Sequence, residues 1–319
     1  MTQAEALPTP YTDAVMTAAP PVLRAWAYLQ ERFPPFAHGP LVVAFAGGVA
    51  CASAALRGAD GPGWPAVVVA SVVALGVFFQ LRVADEWKDA EEDRLYRPER
   101  PVPRGLVTLR ELVGAALTVA VVQVAVAAWL DVRLLGVLAV VWAFGALMTV
   151  EFGARERLRG RPLAALVTHA PIVPLVDLFS VSSDVFGNEA AFPAGVGWLV
   201  GVSLFGGTVV EVGRKVWASA DERPGVETYS AAWGQPLALA AWAAAVMASL
   251  TCGLGVLRHV DGADGLADPL AALAAVVIGL GVGALWGDRP GRGRVVEAAA
   301  GVWTLGLYTI IGPVALWIR

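Results

Sequence analysis

The chain has 319 residues, of which 57% are hydrophobic and 16% charged, and its formal net charge at pH 7 is −4. The charged fraction lies well below the quarter that is usual in soluble domains, which excludes an ordinary soluble globular protein. No basic footprint for nucleic acid is present, and two cysteines give no disulfide framework.

The first 38 residues are predicted to form a cytoplasmic segment ahead of a membrane domain that covers residues 39–319. The segment lacks the basic region and apolar run that together mark a secretory signal. Val22, Trp26 and Leu29 share one helical face, which is typical of a helix lying along a membrane surface.

Long uncharged or nearly uncharged runs recur along the rest of the chain. A helix needs about 20 such residues to cross a bilayer. The runs cover about residues 40–56, 64–81, 112–130, 134–150, 162–181, 190–210, 234–257, 269–287 and 296–318. The sequence therefore predicts an all-α integral membrane protein with nine transmembrane helices.

Basic residues predict how these helices are oriented. Nearly all lysines and arginines outside the runs lie in the N-terminal segment and in every second loop after it. The exceptions are Arg57, Arg133, Arg258 and Arg319. Because cytoplasmic loops carry the excess of basic residues, the N-terminus and the charged loops are predicted to lie in the cytoplasm and the C-terminus outside.

The loop after the second run is the most informative one and reads RVADEWKDAEEDRLYRPERPVPRG from Arg82 to Gly105. Asp85, Asp89 and Asp93 recur every four residues, so a helix would place them on one face. Such like charges repel one another, and Mg²⁺, which prefers carboxylate oxygens, would offset the repulsion. The basic residues in and after this run suit phosphate: Lys88, Arg94, Arg97, Arg100 and Arg104. The alternative is a solvated charged loop.

A second charged loop follows the sixth run and reads EVGRKVWASADERPGVETYSAAWG over residues 211–234. Glu211 is followed one helical turn later by Arg214 and Lys215, and then by Asp221. By topology this loop opens on the same side of the membrane as the first. The alternative is an ordinary basic cytoplasmic loop.

The segment Asp85–Gly105 resembles the first signature of the UbiA superfamily of intramembrane prenyltransferases, Asn-Asp-x-x-Asp-x-x-x-Asp followed by Arg-Pro-x-Arg-Pro-Ile-Pro-x-Gly. Asp85 falls at the Asn and Glu86 at the next Asp. The other matching residues are Asp89, Asp93, Arg97, Pro98, Arg100, Pro101, Pro103 and Gly105. The resemblance implies a single helical bundle around a central cavity.

The second charged loop resembles the family less closely. Gly225, Thr228 and Gly234 are similar to the Gly-x-x-Thr…Gly that follows the family's second Asp-rich motif, which places Asp221 at its last Asp. The family's motif reads Asp-x-x-Asp-x-x-x-Asp, whereas this chain has Arg214 where the middle carboxylate is expected. A cation there could contact diphosphate directly.

The resemblance implies an Mg²⁺-dependent enzyme that ionises an isoprenyl diphosphate and transfers the prenyl group to a small aromatic or lipophilic acceptor. The implied catalytic residues are Asp85, Asp89, Asp93 and Asp221. Glu211 joins these four as an implied metal ligand. The implied diphosphate-binding residues are Lys88, Arg97, Arg100, Arg214 and Lys215.

Ionisable residues inside membrane helices are candidates for the acceptor or cavity site, because they are costly there. His169 and Asp177 lie on roughly one face of the fifth run, Glu151 ends the fourth, and Tyr229 follows the second charged loop. A core histidine and an aspartate near the outer interface are the plain alternatives. Two other functions stay open, a membrane terpene cyclase without a separate acceptor and a non-catalytic transporter or binding protein. The sequence does not define the oligomeric state.

Overall fold

The computed structural model describes residues 19–158, 160–223, 226–285 and 289–319, and all regular elements in these ranges are helical. This confirms the predicted all-α class. The first 18 residues of the predicted cytoplasmic segment and Gly225 of the second charged loop lie outside the described residues.

The longer helices follow one another along the chain, separated by short connections. They are α1 Pro21–Arg32, α2 Pro35–Leu56, α3 Trp64–Lys88, α4 Ala90–Tyr96, α5 Leu109–Leu130, α6 Leu134–Thr149, α7 Pro162–His169, α8 Ile172–Gly187, α9 Val196–Gly213, α10 Gln235–Leu257, α11 Ala267–Leu285 and α12 Gly293–Thr309. Short helical turns cover Glu151–Gly153, Arg155–Leu158, Ser219–Asp221, Tyr229–Trp233 and Ala263–Leu266. The chain ends in a π-helical turn, Ile310–Val314, and one last turn, Ala315–Ile318.

Eight helical stretches among the described residues are long and apolar enough to cross a membrane. Helix α6 is also apolar but has only 16 residues, fewer than the ~20 that a bilayer requires. The multi-pass membrane architecture is therefore confirmed, whereas the count of nine spans stays a prediction.

The fifth predicted run is not one continuous helix. It divides into α7 and α8 at Ala170 and Pro171. Proline has no backbone N–H, and its ring crowds the carbonyl four residues earlier, so a helix bends or stops there. This interruption lies beside the C-terminal end of α6 and shapes the candidate site described below.

Turn chemistry determines where the helix after the first charged loop begins. The Thr108 hydroxyl accepts a hydrogen bond from the N–H of Glu111 at 3.2 Å, and the Glu111 carboxylate accepts one from the N–H of Thr108 at 2.7 Å. This reciprocal capping box satisfies two backbone donors at the start of α5. The loop is thereby held at a defined position against the bundle.

Small residues allow the first and last spanning helices to approach closely. Gly48 of α2 faces Gly312 of the terminal π-helical turn, and a Cβ atom added at position 312 would overlap the Gly48 carbonyl. Glycine pairs of this kind bring membrane helices into backbone contact. This contact joins the first and last spanning helices and so closes the bundle.

A buried ion pair joins α2 and α8 at the end of the bundle opposite the charged loops. The Arg57 guanidinium donates to both oxygens of Asp184, at 3.0 and 2.6 Å, and the Asp184 side chain is fully buried. Two parallel charge-assisted bonds fix geometry as well as energy. The pair therefore stabilises this end of the bundle.

Candidate active site

The first two carboxylates of the predicted motif lie at the C-terminal end of α3. Asp85 is in its last turn, with a side chain that is 53% exposed and 3.6 Å from Arg82. Asp89 immediately follows the helix, and its carboxylate accepts no hydrogen bond among the described residues. Burial raises the pKa of the Asp89 carboxyl; the Lys88 ammonium lowers it, and the neighbouring carboxylates of Asp85 and Asp93 raise it. The carboxylate oxygens of Asp85 and of Asp89 are therefore available to bind a cation.

The third carboxylate of the motif is already paired. Asp93, in α4, is buried and accepts hydrogen bonds from Arg97 at 3.0 Å and from Arg100 at 2.6 and 2.8 Å. Its carboxylate therefore anchors the arginine-rich loop that follows it. The predicted role of Asp93 as a metal ligand stays a prediction, as do the predicted diphosphate contacts of these two arginines.

Helix α1 contacts both the end of α3 and the arginine-rich loop that follows Asp93. Arg32 donates to the buried Glu86 of α3 at 2.5 Å, and Arg24 donates to the Leu106 carbonyl at 3.1 Å. An ion pair of 2.5 Å also joins Glu31 to Arg104. The sequence pattern had indicated only an interfacial helix, because contacts between residues 54 or more positions apart leave no periodic signal.

Among the residues that the structure describes, three buried polar atoms in this region have no hydrogen-bond partner: Tyr28 Oη, Glu86 Oε2 and Arg82 Nε. Burial raises the pKa of the Tyr28 hydroxyl, and the Glu86 carboxylate raises it further. These atoms lie beneath the motif, where ordered water would complete their hydrogen bonding.

Two of the predicted acceptor-site residues meet the first motif. Glu151 accepts from the Lys88 ammonium at 2.8 Å, and its other oxygen lies 3.8 Å from Nε2 of His169. Glu151 and Phe152 have φ of 52° and 53°, a left-handed conformation that is uncommon for residues with a side chain. This backbone turn directs Glu151 toward α3 and α7. Lys88, predicted to bind diphosphate, is paired with Glu151 here.

A small polar pocket of about 30 Å³ lies at this junction, between α3, α6 and α7. Asp85, Lys88, Thr149 and His169 contribute its polar side chains. The volume is about that of one water molecule. The pocket brings the first motif and the predicted acceptor residues to one place.

A larger, apolar groove of about 490 Å³ opens on the side of the bundle next to this pocket. It lies between α6, α8 and α9, and its lining includes Ala143, Phe144, Leu147, Leu178 and Val200. All of its lining residues are apolar. This groove differs in place from the central cavity that the family resemblance implies, since it faces the lipid side of the bundle.

The second charged loop presents cations rather than a row of carboxylates. Arg214 and Lys215 both bind Glu211, with the lysine ammonium 2.8 Å from the carboxylate. Burial lowers the pKa of the Arg214 guanidinium, but the charges of Glu211 and Asp85 outweigh this and raise it. Asp85 thus lies close enough to Arg214 to affect its pKa, which places the start of the second loop near the end of α3.

The later carboxylates of the second loop have structural partners. Asp221 accepts from the backbone N–H of Gly291 at 2.7 Å, and Glu222 accepts from the hydroxyls of Thr228 and Ser230. Asp221 thus ties this loop to the connection that precedes α12. Its predicted catalytic and metal-binding roles stay predictions.

The remaining acceptor candidates lie in two different environments. Asp177 is buried among the helices and accepts from Tyr308 at 3.0 Å and from Ser203. Tyr229 is buried beneath Lys215, whose ammonium lies 5.8 Å from the centre of the ring. The structure brings neither residue into the polar pocket.

The described residues contain no group of three or more histidine, cysteine, aspartate or glutamate side chains placed to hold a metal ion by themselves. Magnesium does not require one, because it commonly keeps several waters and is bound by one or two carboxylates together with substrate phosphates. Asp85 and Asp89 supply that smaller ligand set. The residues present therefore fit a magnesium ion whose remaining ligands would come from water and a bound diphosphate.

Comparison with known proteins agrees with this geometry. No family model matches the chain. The chain is 30% identical over 237 residues, 72% of its length and 82% of the relative's, to digeranylgeranylglyceryl phosphate synthase of Methanopyrus kandleri.

Two solved structures are similar in fold. One is the apo structure of a UbiA homologue from Aeropyrum pernix K1, with a TM-score of 0.65 and 18% identity, covering 88% of this chain and 97% of that one. The other is a UbiA homologue from Archaeoglobus fulgidus bound to DMAPP and Mg²⁺, with a TM-score of 0.60 and 12% identity, covering 88% of this chain and 99% of that one.

The fold is thus that of a helical intramembrane enzyme whose charged loops meet at one end of the bundle. The chain belongs to the UbiA superfamily of intramembrane prenyltransferases. The predicted family and the predicted enzyme class, a prenyltransferase, are both confirmed.

Proposed function

We propose that this prenyltransferase ionises an isoprenyl diphosphate with the help of Mg²⁺ and transfers the prenyl group to a lipophilic acceptor. The observation that carries the proposal is the pair of carboxylates at the end of α3, Asp85 and Asp89, with Asp85 close to Arg214 of the second loop. The relative named as a digeranylgeranylglyceryl phosphate synthase and the structure bound to DMAPP and Mg²⁺ support the same substrate class.

Different residues bind the metal ion and the diphosphate. Bound Mg²⁺ would neutralise negative charge on the departing diphosphate. Asp85 and Asp89 hold that ion at the end of α3, while Arg214 approaches the diphosphate from α9. Guanidinium groups placed in advance stabilise growing charge without reorganising. The apolar bundle keeps water from the allylic cation until the acceptor takes it.

We also propose that the N-terminus and both charged loops lie in the cytoplasm and that the membrane is the cytoplasmic one. The basic residues concentrated at one end of the bundle support this orientation. The contacts between Lys88 and Glu151 and between Asp221 and Gly291 support placing these loops at a common end.

The experiment compares Asp89→Asn with Glu91→Gln, an exposed carboxylate two residues away. Each purified variant receives geranylgeranyl diphosphate and a lipid extract as the acceptor source, and diphosphate release is followed across a Mg²⁺ titration. Asp89→Asn should lower the rate about 100-fold or more, as expected when a group that stabilises transition-state charge is removed. Glu91→Gln should resemble the wild type.

Three outcomes would contradict parts of this proposal. Wild-type rates in Asp89→Asn would remove the first motif from catalysis. Activity that survives complete chelation of divalent ions would remove the metal. Stoichiometric diphosphate release without any acceptor, accompanied by a cyclic hydrocarbon product, would favour the cyclase alternative.

A further inference from the structure

His169 has the geometry of a proton acceptor beside the first motif. Its Nδ1 lies 2.9 Å from the Ala165 carbonyl oxygen, which can only accept, and 3.1 Å from the Thr168 hydroxyl. Because that hydroxyl donates to the Ala164 carbonyl at 2.8 Å, we assign the proton to Nδ1. This assignment leaves Nε2 as the nitrogen able to accept a proton, and His169 lines the polar pocket. Glu151 lies 3.8 Å from Nε2, where it would stabilise the ring once that nitrogen is protonated.

This arrangement distinguishes His169 from the chain's other two histidines. His38 and His259 likewise bond their Nδ1 to a backbone carbonyl four residues earlier. Among the described residues, neither has a carboxylate within ion-pair distance. The shared Nδ1 contact is thus a feature of histidine in helices, whereas the Nε2 environment of His169 is specific to this site.

The apolar groove lies near the same histidine and is connected to it through two aromatic rings. Phe144 lines the groove and lies 5.6 Å from the ring of Phe152, which lies 5.7 Å from the ring of His169. Leu147 of the groove is followed in α6 by Met148 and Thr149 of the polar pocket. A molecule with a hydrocarbon chain and a polar end would therefore match the groove and the pocket together.

Resting on the prenyltransferase function proposed above, we propose that this groove and pocket form the acceptor site, and that the acceptor is a hydroxyl-bearing lipid. Its hydrocarbon chain lies in the groove between α6, α8 and α9, and its hydroxyl meets Nε2 of His169. The hydroxyl oxygen forms the new C–O bond as the bond from the prenyl carbon to diphosphate breaks. The bonding pair leaves with diphosphate, and the hydroxyl proton passes to Nε2.

Glu151 supports this step without contacting the acceptor. Its carboxylate pairs with the imidazolium that forms, while its other oxygen stays with Lys88. A carboxylate that serves two cations in this way links the acceptor site to the last turn of α3, which carries Asp85. The acceptor hydroxyl is thereby held next to the helical turn that carries the first motif.

The test uses two acceptor probes with similar chains and different hydroxyl acidity, 1-O-dodecylglycerol and 4-dodecylphenol, with geranylgeranyl diphosphate as donor. Aliphatic hydroxyls need a base, whereas a phenol loses its proton far more readily. His169→Gln should lower transfer to the glycerol ether about 100-fold or more. Transfer to the phenol should fall less than about 10-fold. His259→Gln, the matched control at the other end of the bundle, should leave both rates unchanged.

Equal losses with both probes would assign His169 a structural role and overturn the proposal, as would wild-type rates in His169→Gln. If the wild type transfers to neither probe yet prenylates a component of the lipid extract that carries no hydroxyl, the hydroxyl-lipid acceptor is wrong and the proposed prenyltransferase mechanism stands. Absence of diphosphate release under every condition would instead overturn the mechanism itself.

The groove is tested separately by Ala143→Trp, which fills it, against Val121→Trp on the lipid-exposed face of α5. Displacing the end of a hydrocarbon chain from an apolar site should raise KM for 1-O-octadecylglycerol about 10-fold or more. KM for 1-O-butylglycerol should change little, because its chain is too short to fill the groove. Equal changes for the two chain lengths, or equal effects of the two tryptophans, would show that the groove does not hold the acceptor.

Discussion

Substituting Asp93 by asparagine tests whether its carboxylate anchors the first charged loop or binds metal. The Asp93 side chain is 2% exposed and accepts from two arginines, Arg97 and Arg100, which are 22% and 23% exposed. Removing one partner of a buried ion pair costs about 3–5 kcal/mol. Because water reaches part of each guanidinium, we expect the smaller loss of about 2–3 kcal/mol in the stability of the loop.

That loss corresponds to a roughly 30- to 150-fold larger population of the opened loop. Limited digestion with trypsin in detergent measures this population when the loop recloses faster than it is cut. Proline follows both Arg97 and Arg100 and blocks cleavage there, so the cuts to follow are those after Arg94 and Arg104. Asp93→Asn should be cut about 30- to 150-fold faster than the wild type.

Asp89→Asn is the matched control in the same motif. Its carboxylate accepts no hydrogen bond among the described residues, so its removal should leave the cleavage rate near that of the wild type. It should instead raise the Mg²⁺ concentration needed for half-maximal diphosphate release. If Asp93→Asn shows this second behaviour and a wild-type cleavage rate, our structural interpretation of Asp93 is wrong and it is a metal ligand.

Two further predictions concern the second loop and the orientation. Arg214→Ala should raise KM for the prenyl diphosphate about 10- to 100-fold, since a hydrogen bond to a charged group is worth about 1.5–3 kcal/mol. Arg214→Lys should recover only part of the lost binding, because an ammonium cannot form the two parallel bonds of a guanidinium. Unchanged kinetics in both variants would show that Arg214 serves only as a partner of Glu211. Pro98→Cys should react with a membrane-impermeant thiol reagent only in vesicles that expose the cytoplasmic face, and labelling from the outer face of intact cells would reverse the proposed orientation.

The fold was largely predictable because membrane helices leave a strong signal in hydropathy. Runs of apolar residues located all the spanning helices that the structure describes. The break between α7 and α8 was missed, although Pro171 indicated it, because the apolar run continues through both sides of the break. Whether the 16-residue α6 spans the bilayer depends on tilt and local membrane thickness, which hydropathy does not encode.

The candidate site was predictable only in part. Spacing alone identified the carboxylates of the first motif, because residues four apart on a helix share a face. Spacing did not reveal that Asp93 is held by arginines, since the same cluster of charges is compatible with a metal site or an ion-pair network. The meeting of Glu151 with Lys88 and His169 depends on a left-handed turn at Glu151, a conformation that sequence patterns rarely reveal for a non-glycine residue.

The departure of the second loop from the family pattern acquires a physical meaning from these contacts. On α3 the site presents two carboxylates, Asp85 and Asp89, whereas on α9 one carboxylate, Glu211, is bound by two cations, Arg214 and Lys215. The α9 side therefore carries one net positive charge, and a diphosphate would meet it favourably without a metal between them. It follows that a metal ion is needed chiefly on the α3 side, where two carboxylates with only the single, long contact from Arg82 to Asp85 would otherwise repel the substrate. An asymmetric site of this kind should depend on Mg²⁺ through Asp85 and Asp89 and on fixed cations through the second loop.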